Sequence, residues 1–217
     1  MTINHPLNTL LAEADSAPLD GAALARFDAY LALLVRWNAR TNLTAIRTAD
    51  GILRRHFLES ILAARTLPVG VRTLVDFGSG AGFPGLPIAI CRPEIAVTLA
   101  ESQQKKSAFL REAVRTMGLT VAVHAARAET LTERFDCVTL RAVDRMVQAI
   151  TAAVGLVTPG GWLAVLTTEG YAASARAAAE ARAFDSNKAI YRIQWNPSPQ
   201  LLTATREQML LGQIVFV

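Results

Sequence analysis

The stretch Val75-Asp-Phe-Gly-Ser-Gly-Ala-Gly-Phe-Pro-Gly85 concentrates glycines around a single carboxylate. Gly78, Gly80 and Gly82 allow a turn with positive backbone angles and let a ligand approach the main chain closely. The spacing departs from the dinucleotide fingerprint Gly-x-Gly-x-x-Gly, because Phe83 stands in the third place and the next glycine is Gly85. Asp76 departs from it as well. A carboxylate there repels a phosphate but suits a cationic sulfonium and an amino group. The loop from Asp76 to Gly85 therefore points to S-adenosylmethionine, with Gly78 and Gly80 as contacts.

Four further residues complete this constellation. Glu101 follows the glycines by about twenty residues, the distance at which a carboxylate accepts hydrogen bonds from ribose hydroxyls. Ala128 and Glu129, in His124-Ala-Ala-Arg-Ala-Glu129, occupy the place where methyltransferases of this type bracket the adenine edge. Arg141 follows the apolar run Phe135–Leu140, where the reacting atoms should lie. Read as a cleft-rim residue, it adds little to a core, so its truncation should leave the melting temperature nearly unchanged.

The acceptor is narrowed by elimination. Enzymes that methylate exocyclic amines place Asn or Asp before Pro-Pro-aromatic after this run, whereas here the chain reads Leu140-Arg-Ala-Val-Asp144. The similar Asn196-Pro-Ser-Pro199 falls in a different loop. Attack at pyrimidine C5 needs a loop cysteine, but Cys137 lies in a strand-like run and Cys91 in a helix-like one, as core residues do. An acceptor with its own lone pair, such as a ring nitrogen, needs no base. No catalytic side chain and no metal-ligand set is assigned, and His56 reads as a hydrogen-bonded structural histidine.

These residues need elements to hold them. Leu24, Phe27, Leu31, Leu34 and Trp37 recur at helical steps between Pro18 and Arg40. A second helical stretch, from about Ala49 to Thr66, carries Ile52, Leu53, Phe57, Ile61 and Leu62. Asn38, Asn42 and Thr44 are placed to pin the link between the two helices. Beyond this, short apolar runs at Thr73–Phe77, Ile95–Glu101, Thr120–His124, Phe135–Leu140, Trp162–Thr167, Ala189–Trp195 and Gln213–Val217 alternate with helical stretches. The helical stretches are Gln104–Met117, Arg145–Leu156 and Ala172–Ala183. Alternation predicts an α/β, Rossmann-like class I methyltransferase fold with a seven-stranded, mostly parallel sheet, closed by an antiparallel final pair. Residues 1–68 form a helical N-terminal appendage and residues 69–217 the cofactor-binding domain.

Composition sets wider bounds. The 217 residues are 52% hydrophobic, enough for a substantial core. The N-terminal stretch does not read as a signal peptide, and no run reaches the ~18–20 apolar residues that span a bilayer. Two cysteines without ligand spacing suit a reducing cytoplasm. The net charge of +4, with Arg36, Arg40, Arg47, Arg54 and Arg55 the densest basic group, is compatible with a phosphate-bearing partner or with a solvated helix face. Nothing in the sequence sets an oligomeric state.

The chain also resembles one family, the bacterial 16S ribosomal RNA guanine-N7 methyltransferase G, or glucose-inhibited division protein B. The shared segments are Trp37-Asn-Ala-Arg-Thr-Asn-Leu-Thr-Ala-Ile46, Arg55-His-Phe-Leu-Glu-Ser60 and the glycine loop. Lys105-Lys106, Phe109-Leu110, Arg127-Ala-Glu129, Arg141-Ala142 and Pro159-Gly-Gly161 continue the match. The resemblance implies S-adenosylmethionine as donor, and guanine N7 at position 527 of 16S RNA in the small ribosomal subunit as acceptor. It also implies cofactor contacts at Gly78, Phe83, Ala128, Glu129 and Arg141. The chain departs from the pattern at Thr168-Glu169-Gly170, where a lysine usually precedes the glycine, and it lacks a Tyr-Pro-Arg-containing basic tail. Both departures remove positive charge from the expected RNA side. They keep open a methyltransferase of this fold with another substrate, and a non-catalytic cofactor-binding protein of ribosome assembly.

Overall fold

A computed structural model describes residues 5–143, 145–184, 191–195, 200–202 and 207–216. Helix α1 (Pro6–Glu13) and helix α2 (Gly21–Asn38) open the fold, and the Asp20 carboxylate caps α2 by accepting from Ala23 N–H at 2.7 Å. The buried face of α2 is Leu24, Phe27, Tyr30, Leu33 and Leu34, centred on Tyr30; Leu31 and Trp37, expected on that face, are half-buried at its edge. Helix α1 had no counterpart in the expected elements.

The stretch expected as one helix is helical throughout but changes winding. Helix α3 (Ala49–Ile52) passes into a π-helical turn (Leu53–Leu58) and then into helix α4 (Glu59–Thr66). The wider turn brings Ile52 and Phe57, five residues apart, onto one buried face.

Strands β1 (Thr73–Phe77), β2 (Ala96–Ala100), β3 (Ala122–His124), β4 (Phe135–Arg141) and β5 (Val157–Thr168) run parallel in the order β3-β2-β1-β4-β5. Strand β8 (Glu207–Phe216) lies antiparallel between β5 and β6 (Tyr191–Trp195), giving the expected closing pair. The sheet gains one short strand, β7 (Gln200–Leu202). Its physical basis is the length of β8: β6 pairs with residues 212–216 of it, and β7 takes the backbone groups at Gln208 and Glu207. The run Asn196–Pro199 and residue Asp144 lie outside the described residues.

Helices α5 (Gly85–Cys91) and α6 (Gln104–Met117) cover one sheet face, while α7 (Met146–Gly155) and α8 (Glu169–Phe184) cover the other. Strand residues alternate between two cores: Leu74, Leu99, Cys137 and Leu166 face α5 and α6, and Val75, Val138, Leu140 and Val165 face α7 and α8. Buried residues of α1, α2 and α4 belong to the first cluster, so the N-terminal helices share a core with the sheet.

An aromatic group joins the two parts. The Tyr30 ring stacks on Phe57 at 5.1 Å and on Phe83 of the glycine loop at 5.2 Å. Burial foremost pushes the Tyr30 hydroxyl pKa well up, so it keeps its proton and donates to the Ala81 carbonyl. Tyr30→Phe keeps the packing but leaves that carbonyl without its donor, and should destabilise the protein by about 1–3 kcal/mol in denaturant unfolding.

Candidate active site

At the carboxyl ends of β1, β2 and β4 the chain encloses a cleft of about 740 Å³. All seven residues expected as cofactor contacts line it: Gly78, Gly80, Phe83, Glu101, Ala128, Glu129 and Arg141. The glycine loop leaves β1 with Gly78, Gly80 and Gly82 at φ of +72°, +58° and +95°, as the turn requires. A Cβ at Gly80 would meet only the Gly78 carbonyl, at 3.9 Å, so the main chain is open to a ligand there.

Glu101, one residue past β2, is 6% exposed. Its Oε2 accepts from Gly80 N–H at 2.9 Å and its Oε1 from Gln103 N–H at 2.7 Å. It thus ties the loop to the start of α6, and each oxygen retains a lone pair for a hydroxyl donor. Ala128 is buried and Glu129 exposed at the start of a single 3₁₀ turn, Ala128–Thr130. Phe83 lies between two aromatic neighbours, Tyr30 and His56, the latter at 4.8 Å.

The structure corrects the reading of Asp76. This residue is 1% exposed and does not line the cleft. Strand alternation turns it toward α5, where its Oδ2 accepts from Gly85 N–H at 3.1 Å and its Oδ1 from the Thr139 hydroxyl at 2.9 Å. It braces the glycine loop from behind and cannot meet a sulfonium. Burial raises its pKa to about 6, against the lowering effect of these hydrogen bonds.

Arg141 is also corrected. It ends β4 and lines the cleft, but its side chain is only 10% exposed. Its guanidinium donates to Glu59 Oε2, to the Arg55 carbonyl and, at 3.4 Å, to Ser60 Oγ. Glu59 is 0% exposed and also pairs with Arg55 Nε at 3.3 Å. Arg141 is therefore a structural ion-pair partner of the appendage as well as a cleft residue, and its truncation cannot leave stability unchanged.

The cysteines behave as core residues. Burial pushes the Cys91 thiol up to about 12 and Cys137 higher still, so neither supplies a thiolate. Among the described residues no group of three or more His, Cys, Asp or Glu could hold a metal ion. Among them, too, no helix is long and apolar enough to cross a membrane.

Sequence reasoning missed part of the lining. Thr44, Ala45, Ile46 and His56 of the appendage contribute to the cleft, as do Arg145 and Gln148 near the start of α7. Asn38 does pin the inter-helix link as expected, and the Thr44 hydroxyl pairs with His56 Nε2 at 2.6 Å. The available signal was the Trp-Asn…Asn-Leu-Thr segment itself, whose polar residues fix a loop that meets the cleft.

A mostly parallel sheet opened by a glycine loop, with a carboxylate after the second strand, is the Rossmann-like fold of the class I methyltransferases. The fold matches a solved methyltransferase from Pyrococcus furiosus with a TM-score of 0.59 at 13% identity, covering 88% of this chain and 98% of that one. Closer in sequence is ribosomal RNA small subunit methyltransferase G of Halorhodospira halophila, 44% identical over 70% of this chain and 72% of that protein. The same-named protein of a Roseiflexus species is 47% identical over 63% of this chain and 61% of its own length. A family model described as rRNA small subunit methyltransferase G matches residues 23–196, and the chain belongs to that family.

Two variants test the corrected roles. The folded Asp76 carboxyl stays protonated up to about pH 6, whereas an unfolded one ionises near its ordinary value of 3.8. The folded state then binds more protons in this window, so stability falls as pH rises through it. Asp76→Asn lacks that dependence, and its stability relative to the parent should improve by about 2–3 kcal/mol between pH 4 and 7 in paired unfolding curves. Arg141→Ala leaves Glu59 without its main partner and should cost about 3–5 kcal/mol. At ~2–4 °C per kcal/mol that is a melting-temperature drop of roughly 10 °C.

Proposed function

We propose that this protein transfers a methyl group from S-adenosylmethionine to N7 of a guanine in 16S ribosomal RNA, at position 527, within the small ribosomal subunit in the cytoplasm. One observation carries the reading. Where β4 ends, the cleft is lined by Arg141, Ala142 and Val143, none of which can take up a proton. Guanine N7 attacks through its own lone pair and loses no proton, so it suits an edge whose described residues offer no base. The relatives are named for small-subunit ribosomal RNA, which supports the substrate class.

The residues present fit the cofactor. Gly80 opens the main chain to it and Gly78 gives the turn its positive φ; Glu101 would accept from the ribose hydroxyls, Ala128 and Glu129 would flank the adenine, and Phe83 and Arg141 would close the remaining side. When bound, S-adenosylmethionine supplies an electrophilic methyl on a sulfonium. The chain contributes position: Glu101 fixes the loop to α6, and Asp76 holds the loop's far end, so the two reacting groups meet without reorganisation. The Glu59 carboxylate offsets the Arg141 charge, so the guanidinium does not oppose a cationic donor or the positively charged N7-methylguanosine. The division at residues 1–68 and 69–217 is then one of role, the first part buttressing and the second binding the cofactor.

A second reading is a methyltransferase of the same fold with another substrate, favoured by Glu169. Glu169 begins α8 and is exposed at the carboxyl edge of the sheet. A carboxylate at that position complements the helix dipole, and it places negative charge where the family usually has a lysine. Tritiated S-adenosylmethionine offered to small subunits lacking the modification should label N7-methylguanosine. Label in a different nucleoside would favour the second reading. Absence of label with intact cofactor binding would point instead to a non-catalytic assembly protein.

A further inference from the structure

The seven cofactor contacts all come from residues beyond 68, yet the appendage supplies another wall of the cleft through Leu43, Thr44, Ala45, Ile46 and His56. At about 740 Å³ the cleft lies toward the upper end of the ~300–1,000 Å³ usual for small-molecule sites. A transferase must seat two groups, and this second wall has no task in holding the first.

The wall is built with unusual determinacy for a loop. Asn38, 5% exposed, accepts from the N–H groups of Leu43 and Thr44 at 2.9 and 3.1 Å. Its amide nitrogen donates to the carbonyls of Thr44 and Ile46 at 3.1 and 3.4 Å. The Thr44 hydroxyl receives Ile46 N–H at 3.2 Å and pairs with His56. Among the described residues, Ala45 alone in this segment makes no hydrogen bond to the protein through either its N–H or its carbonyl, and it is exposed on the cleft. The clamp leaves one donor and one acceptor beside a side chain small enough to admit a planar ring.

We propose that the Leu43–Ile46 loop is the seat of the acceptor base, with the Ala45 peptide groups reading a guanine. This deepens the functional reading above and rests on it. Guanine offers O6 to an N–H and N1–H to a carbonyl, while its N7 stays free for the methyl group. Adenine carries a donor amine where guanine has O6, so a fixed backbone pair disfavours it. Single-stranded or extruded bases are read in this way, by hydrogen bonds to their edges beside flat side chains. The flat side chain here is His56, backed by Phe83 at the cleft. Exposed Arg145, near the start of α7, adds positive charge for a phosphate flanking the base.

The test separates acceptor from cofactor. Ala45→Trp should retain the parental melting temperature and bind S-adenosylhomocysteine within twofold of the parent by calorimetry. Its kcat/KM on small subunits should fall at least tenfold, and Ala45→Ser should restore most of it. Unchanged turnover by Ala45→Trp would overturn the acceptor seat. So would a parallel loss of cofactor affinity, which would assign the loop to the first site. If the tryptophan variant melts early, Ala45→Asp serves instead, and the same two outcomes decide. Parental protein that fails to methylate small subunits would instead overturn the functional reading beneath the proposal.

Discussion

Glu59 has no exposed surface, and a carboxylate there persists because Arg141 reaches it from the end of β4 and Arg55 from the preceding turn of its own helix. Removing two such charges from water costs several kcal/mol per ion, repaid only when the geometry and the extra hydrogen bonds are good. The Arg55 carbonyl and the Ser60 hydroxyl supply those extra bonds. Displacing the appendage would strand both charges, so the N-terminal helices and the transfer edge hold together or fail together. The π-helical turn belongs to the same constraint, because it contains Arg55 and His56 and leads directly into Glu59.

Two other carboxylates show how position on a strand decides a role. Asp76 and Glu101 both sit at the carboxyl edge of the sheet, near the same glycine loop. Asp76 is the fourth residue of β1 and falls on the face covered by α5, so it is enclosed and serves Gly85 and Thr139. Glu101 lies one residue beyond β2, free of strand alternation, and borders the cleft. Counting from the glycines made both look like ligand contacts. The period-two alternation of β1 decides between them.

Much of the fold was legible because apolar periodicity is a local signal. Helix α6 occupies Gln104–Met117 as read from the sequence, ending at Gly118 in the left-handed conformation, and β1 occupies Thr73–Phe77. Strands β5 and β8 run longer than their apolar runs: Thr158–Gly161 in β5 spans a register shift against β4, and Glu207–Gln208 in β8 are strand because they pair with Thr168 and Thr167. The cleft-lining set was legible because its residues follow strand ends in a known fold. The burial of Arg141 was not. Its main partner lies 82 positions away in the chain, and no local pattern reports a contact of that separation. Thr44 and Ala45 were hidden for a related reason, since a pinned loop and a pinned loop that borders a site look alike in sequence.

The placement of β8 has a consequence for how the molecule is made. Strand β8 lies between β5 and β6 and pairs with both, yet it follows both of them in the chain. Until it arrives, β5 presents a row of unpaired backbone groups along Trp162–Thr168, with Leu163, Val165 and Leu166 beside them. Such an edge readily adds a strand from another chain. The β5 edge is thus synthesised before the strand that covers it, and capture of β8 is what ends that exposure.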